Sequence, residues 1–205
     1  MKNNKEKVSY CIGLETGKNL GEQFVDIDTT MLIDGIQDGL RKNTPKLPAQ
    51  EISALLAMLR QQVEQQQKTF IASLAEKNKQ EGMQFLQKNK QSAGVISLPS
   101  GLQYTVLQAG SGPTPTLFDT VRVHYTGSFI DGRVFDSSYK RGEPVTFPVN
   151  KVIPGWSEVL QLMKVGDRWK VYIPSYLAYG EQGFGREIGP NMTLIFEMEI
   201  VSIHT

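Results

Sequence analysis

Residues 123–136 read V-H-Y-T-G-S-F-I-D-G-R-V-F-D, and the way this stretch alternates decides the kind of domain that holds it. Val123 and Tyr125 fall on one face of an extended chain and His124 on the other, as a half-buried strand requires. Asp131-Gly132, between Phe129 and Val134, is a hairpin signal, because a tight turn needs the positive φ that glycine adopts freely. The same period of two runs through Leu102–Gln108, Arg168–Ile173 and Thr193–Ile203, with a loop at Ser111–Pro115. Trp156–Met163, after Pro154-Gly155, predicts a single short helix. Several strands and one helix within residues 94–205 imply an antiparallel sheet wrapped on that helix, an α+β domain.

Two further segments join this stretch: V-I-P-G-W at Val152–Trp156 and A-Y-G at Ala178–Gly180. Together they place tyrosine, phenylalanine, tryptophan, valine and isoleucine around one aspartate, Asp136, with no cysteine, paired histidine or second carboxylate beside it. Such a set does not serve nucleophilic or metal chemistry, and no metal or cofactor is expected. It builds a small apolar cup with a few hydrogen-bonding groups at the rim. Asp136 has a plain reading, capping a turn through Ser137 and Ser138. Alternatively, Arg141 holds it, or it offers a fixed charge to a ligand. Trp156 reads as core or as the floor of the cup. His124 reads as a structural histidine of its strand. Gly180–Gly189 (GEQGFGREIG) does not match G-x-G-x-x-G and leads into a strand, so it is no phosphate loop; its glycines let it turn tightly over the cup.

Composition narrows the partners. The formal net charge is +1, and basic and acidic residues are evenly spread along the chain. No basic face suited to phosphates is visible, so nucleic acid is not an expected partner. Cys11 is the single cysteine, which excludes an intrachain disulfide, and it is expected as a small buried residue of a helix. No apolar run approaches the ~18 residues of a membrane span. The opening MKNNKEKVSY is basic but has no apolar stretch after it, so it is not an intact signal peptide. The simple expectation is a cytoplasmic protein; a chain trimmed of an export signal, at home in the periplasm or on the outer-membrane surface, would read the same.

Two zones precede the sheet. Residues 1–48 suggest a short helix through Tyr10, Ile12, Leu14 and Leu20, then a second through Met31, Leu32, Ile36 and Leu40, capped by Asp28 or Thr29. Their core is thin, and another copy of the chain is the simplest partner. Residues 49–93 predict one helix of about 40 residues, ~60 Å long, with Pro48 suited to its first turn. Ile52, Leu55, Leu56, Leu59 and Val63 form an apolar stripe, so the first half is expected to pack. Beyond Gln61–Gln67 the pattern thins and a solvated stalk is expected, with Gly82 as a weak point. A heptad coiled coil is the alternative, carried only by the lone seven-step Val63–Phe70.

The motifs V-H-Y-T-G (Val123–Gly127), D-G-R-V-F-D-S-S (Asp131–Ser138), V-I-P-G-W, L-A-Y-G (Leu177–Gly180) and P-N-x-T-L-I-F (Pro190–Phe196) resemble the FKBP-type peptidyl-prolyl cis-trans isomerases. S-Y-C-I-G-x-x-x-G-K at Ser9–Lys18 and the long helix extend the resemblance to the Mip-like bacterial subfamily. It implies an isomerase of X–Pro bonds in unfolded or partly folded proteins, acting as a V-shaped homodimer paired through residues 1–65. Region 1–48 would dimerise, 49–93 connect and 94–205 catalyse. Asp136 and Tyr179 would be the catalytic pair, with Asp136 facing the twisting amide. Tyr125, Phe135, Val152, Ile153, Trp156 and Phe196 would line the proline pocket, Arg141 would buttress Asp136, and Ile188 would close the loop side. The Ile153 N–H and Tyr179 hydroxyl would hold substrate carbonyls. Such a pocket implies macrolide inhibitor binding, on which Val145, Lys151 and Phe184, departures from the eukaryotic pattern, bear. The alternative reading is a non-enzymatic chaperone or peptide-binding clamp.

Overall fold

The computed structural model describes residues 3–24 and 26–204, and the chain divides into two compact units, Met1–Val63 and Glu64–Thr205. In the first, helix α1 (Asn4–Gln23) starts at Asn3, whose side chain accepts the Glu6 N–H at 2.9 Å. Helix α2 (Thr29–Arg41) is capped by Asp28, whose carboxylate accepts the Thr30 and Met31 N–H groups at 2.9 and 3.0 Å. The carboxylate thus satisfies donors that the first turn leaves open. Lys42 ends α2 in the left-handed region (φ 56°), and Lys46 pairs with Asp34 at 2.6 Å.

Neither α1 nor α2 buries a residue. Tyr10, Ile12, Leu14, Met31, Ile36 and Leu40 are exposed, and so are Leu55, Leu56 and Leu59 of helix α3 (Ala49–Asn89). Cys11 is exposed too, against the expectation of a buried thiol, because nothing within the chain covers that face of α1 among the described residues. Pro48 lies one position ahead of α3 rather than within it, its carbonyl accepting the Ile52 N–H at 3.0 Å.

Helix α3 begins in the first unit and ends in the second, where the expectation of a solvated stalk fails. Asn78 and Gly82 are buried. Phe85 meets Tyr172 with ring centroids 5.9 Å apart. Asn89 donates to the Gln103 side-chain oxygen at 2.9 Å, and Gln103 donates to the Leu86 carbonyl at 2.9 Å. Gly82 is no weak point: it lets the helix approach Thr193, whose Cβ would lie 3.1 Å from a methyl placed there. The stripe at 74, 78, 82, 85 and 89 mixes glycine and asparagine with apolar residues, so hydrophobic patterning alone hides it.

The sheet comprises β1 (Ile96–Ser97), β2 (Gln103–Gln108), β3 (Thr120–Phe129), β4 (Val134–Ser137), β5 (Val145–Pro148), β6 (Arg168–Ile173) and β7 (Leu194–His204). The order is β1-β2-β6-β7-β3-β4, every pairing antiparallel, with β5 also on β3. Strand β3 shares one edge between β5 at residues 120–123 and β4 at 126–128. The β3–β4 turn is the predicted one, with Gly132 at φ 89° and the Phe129 N–H bonded to the Arg133 carbonyl at 2.9 Å.

Val121, Val123 and Tyr125 on β3 and Leu194, Phe196, Met198 and Ile200 on β7 alternate toward one core. Helix α5 (Pro154–Leu160) fills it with Trp156, Val159 and Leu160. Pro154 takes the first turn of α5, where a missing N–H costs nothing. Leu160 is fully buried. Leu160→Ala should therefore cost about 2–5 kcal/mol, measured as a lowered urea midpoint for the second unit's transition with an unchanged slope.

Candidate active site

A cavity of about 290 Å³ lies among these elements, lined by Tyr125, Phe135, Asp136, Phe147, Lys151, Val152, Ile153, Trp156, Tyr179 and Phe196. Strand alternation delivers Tyr125 from β3, Phe147 from β5 and Phe196 from β7. Strand β4 contributes Phe135 and Asp136, and the link into α5 contributes Val152 and Ile153. Trp156, only 3% exposed, stands nearly perpendicular to three rings: Tyr125 at 5.0 Å, Phe196 at 5.2 Å and Phe147 at 5.6 Å between centroids. Edge-to-face contact fixes a flat indole without covering it. The open alternative for Trp156 is thereby decided: it is packed into the core and it walls the cavity. Gly127 permits the close approach of Phe135 and Phe196, since an added Cβ would lie 2.9 Å from the Phe196 ring.

The Ser137 N–H reaches the Asp136 carboxylate, as a turn cap would, but side chains hold it as well. Its two oxygens accept from the Tyr125 hydroxyl and the Arg141 guanidinium, and Arg141 also donates to the Tyr125 hydroxyl at 3.0 Å. The three groups close a triangle in which Tyr125 donates to one partner and accepts from the other. Helix α4 (Ser138–Arg141), a single turn ended by Gly142 at φ 82°, brings Arg141 back over Asp136. Ser138 fastens that turn to β3: its hydroxyl accepts the Tyr125 N–H at 2.8 Å and donates to the Tyr125 carbonyl at 3.2 Å. His124 serves the same clasp, its Nδ1 3.0 Å from Ser138 Oγ and its ring stacked on Tyr139 at 4.4 Å.

Burial pushes the Asp136 carboxyl up, but the Tyr125 hydroxyl and the Arg141 charge outweigh it and hold the group below the ordinary carboxylate range. Burial first, then the bond to Asp136, pushes the Tyr125 phenol up. Burial, then the Asp136 charge, does the same to Tyr179. At neutral pH the site therefore carries one carboxylate, already paired, and two neutral phenols.

Of the residues expected from sequence, Tyr125, Phe135, Asp136, Val152, Ile153, Trp156, Tyr179 and Phe196 line the cavity. Arg141 stands behind Asp136 rather than in the wall. Ile188 is not a wall residue: it is 7% exposed and belongs to the packed core, tied back to Phe184 by two backbone bonds of 2.7 and 3.2 Å. Phe184 instead stacks on Tyr179, with centroids 4.8 Å apart. Phe147 and Lys151 went unread as wall residues. Phe147 had a signal, since it shares a strand face with Val145; the exposed Lys151, beyond the strand, had none.

A wall of aromatic and aliphatic side chains, with one neutralised carboxylate and the exposed Lys151 at its edge, defines an apolar binding cavity. Residues 112–201 match the family described as FKBP-type peptidyl-prolyl cis-trans isomerase, and residues 5–106 match the domain amino terminal to FKBP-type peptidyl-prolyl isomerase. The chain belongs to the FKBP-type peptidyl-prolyl cis-trans isomerases and is a peptidyl-prolyl cis-trans isomerase. It is 44% identical over 199 residues to outer membrane protein MIP of Legionella longbeachae, covering 97% of this chain and 85% of that one. It is 43% identical over 198 residues to the FKBP-type 22 kDa peptidyl-prolyl cis-trans isomerase of Escherichia coli K12, covering 96% and 94%. The crystal structure of FkpA from Escherichia coli matches with a TM-score of 0.79 at 37% identity, covering 99% of this chain and 98% of that one.

The charge state of the site predicts its pH behaviour. Because the folded carboxyl lies below its unfolded value, its stabilising contribution is complete above the ordinary carboxylate range. It is lost only as pH falls through the lowered value. kcat/KM should accordingly stay flat from about pH 5 to pH 9, measured by exchange NMR on a proline peptide. A bell centred near neutrality would show that a titrating group takes part.

Proposed function

We propose that this cavity is the seat of X–Pro rotation, with Trp156 beneath the prolyl ring, Asp136 facing the amide, and Tyr179 and Ile153 holding substrate carbonyls. The supporting observation is an apolar cavity whose one carboxylate is fully engaged by Tyr125 and Arg141. Tyr179 Oη and the Ile153 N–H have no protein hydrogen-bond partner among the described residues, so both are free to bind a chain.

The barrier to rotation, ~18–20 kcal/mol, comes from the partial double bond of the amide. Halfway round, resonance is lost, the nitrogen becomes pyramidal, and the carbonyl loses polarity. A water-free apolar wall therefore raises the planar, polar ground state more than the twisted one. Each ~1.4 kcal/mol of that difference gives a tenfold rate, and no proton moves. Tyr179→Phe and Asp136→Ala should each lower kcat/KM about tenfold while the fold persists by circular dichroism. Full activity in both would remove the assignment. The same wall would accept a macrolide inhibitor, with Lys151 at the rim and Phe184 on Tyr179 setting its affinity.

The chain works, in this proposal, as a homodimer on proline-containing polypeptides, with residues 1–65 supplying the pairing surface. Region 1–48 pairs, 49–93 connects and 94–205 catalyses. Exposed Tyr10, Ile12, Leu14, Ile36 and Leu40 on helices without one buried residue support a second copy as the cover. Two linked sites would raise the effective concentration of a client at the second once the first is engaged. Light scattering should give twice the chain mass for the full protein and a single mass for residues 64–205; a monomeric full chain would dismiss the dimer.

The expected cytoplasmic location finds no support. No helix among the described residues is long and apolar enough to cross a membrane. A relative is named an outer membrane protein, which favours the periplasm or the outer-membrane surface as the compartment. A purely non-enzymatic clamp is the weaker reading, because the cavity and its engaged aspartate are intact; suppression of aggregation by Asp136→Ala at the wild-type level would separate clamp from enzyme.

A further inference from the structure

Tyr179 is held by a loop, and the loop is held by α3. After Tyr179 the chain leaves at Gly180, reverses between Phe184 and Ile188, and returns through Pro190–Thr193 into β7. Departure and return are joined by the Asn191 N–H, which donates to the Gly180 carbonyl at 2.8 Å while Asn191 sits at φ 56°. Asn78 of α3, 8% exposed, donates its side-chain amide to the Pro190 carbonyl at 2.8 Å. Asn191 answers with its own amide on the Ala75 carbonyl at 3.4 Å. One turn further, Gly82 abuts Thr193, leaving no room for a methyl. Positions 75, 78 and 82 share a helix face, and all three meet the return of this loop.

Docking the helix does not explain Asn78. Phe85 on Tyr172 and the Asn89–Gln103–Leu86 bonds already fasten α3 to the sheet further along. A buried amide is costly unless its partner is fixed, and an apolar residue would suffice for attachment. The partner here is a carbonyl in the segment whose position sets that of Gly180, the residue after Tyr179.

We infer that Asn78 is a positioning residue for isomerisation: it pins the Pro190–Asn191 return, through it Gly180, and so the Tyr179 hydroxyl. The inference rests on the assignment of Tyr179 as a substrate-holding group. Helix residues 75–82 are then part of the catalytic apparatus and not only a connector. Tyr179 contributes to holding the substrate in ground and twisted states alike, so a loosened loop weakens binding more than rotation.

The test uses the full chain and a proline tetrapeptide, with kcat and KM separated by NMR line-shape analysis. Asn78→Ala should raise KM about fivefold with kcat within about twofold, and shift the Tyr179 ring resonances while leaving those of the α5 core in place. Gly82→Ala should raise KM similarly, and adding Thr193→Ala should return it toward the wild-type value, because the added methyl then meets no hydroxyl. This pair decides the matter if Asn78→Ala does not fold. Tyr179→Phe is run in parallel. An impaired Tyr179→Phe beside unchanged KM in Asn78→Ala, or in Gly82→Ala where the former does not fold, overturns the inference alone. An unimpaired Tyr179→Phe removes the site assignment and the inference with it.

Discussion

A carboxylate can stand at the lip of an apolar cavity only if its charge is already engaged. Even with 37% of the Asp136 side chain exposed, desolvation pushes such a group toward its protonated form unless partners offset it. Asp136 avoids this because Tyr125 and Arg141 together occupy both its oxygens. Much of the surrounding structure follows from that requirement. The β3–β4 turn places Asp136 opposite Gly127, one turn of α4 returns Arg141 to it, and Ser138 and His124 clamp the turn to β3. Tyr125 joins the two halves of the site, its ring in the wall and its hydroxyl in the triangle.

The cavity beside that triangle is a packing result as much as a chemical one. Four large rings, Tyr125, Phe147, Trp156 and Phe196, meet nearly at right angles or tilted, and flat groups in that arrangement leave a void where aliphatic side chains would interdigitate. Gly127 is necessary because two of the surrounding rings, Phe135 and Phe196, occupy the space its side chain would need. The wall is therefore closely packed, which the proposed action by desolvation requires. A wall that relaxed around the planar amide would give up the difference between planar and twisted states.

How far the sequence discloses this depends on the range of the interaction. Alternation in Val123–Tyr125 and the Asp131-Gly132 turn are local, and each stands where its residues predict; α5 is shifted, running Pro154–Leu160 instead of Trp156–Met163, because proline suits the first turn itself. The wall is named mainly by the resemblance of the motifs to the family; strand alternation alone accounts for Tyr125, Phe147 and Phe196. The Asp136 triangle was legible only as one alternative, since the five-residue reach of Arg141 depends on a helical turn too short to show periodicity. Gly82 and Cys11 depart from expectation for one reason. Each is decided by what lies against it from elsewhere in the chain: Thr193 on Gly82 and, among the described residues, no covering element over Cys11. A residue's type cannot report that.

Helix α3 shows why its patterning misleads. Its early stripe, Ile52 to Val63, is aliphatic yet largely exposed within one chain. Its late stripe, Leu74 to Asn89, holds the buried Asn78 and Gly82 and contacts the sheet. Apolar content thus runs opposite to burial. The late stripe can be poor in apolar residues because it binds backbone carbonyls and a close-packed threonine, contacts that reward an amide donor and a missing side chain. The early stripe, rich in leucine, shows no such specific partners among the described residues, and leucine would suit the apolar surface of a second copy in the proposed homodimer. One helix therefore carries two kinds of surface, a directional one that meets a loop and an exposed apolar one that the proposed second copy would cover, with the glutamines within 61–67 between them.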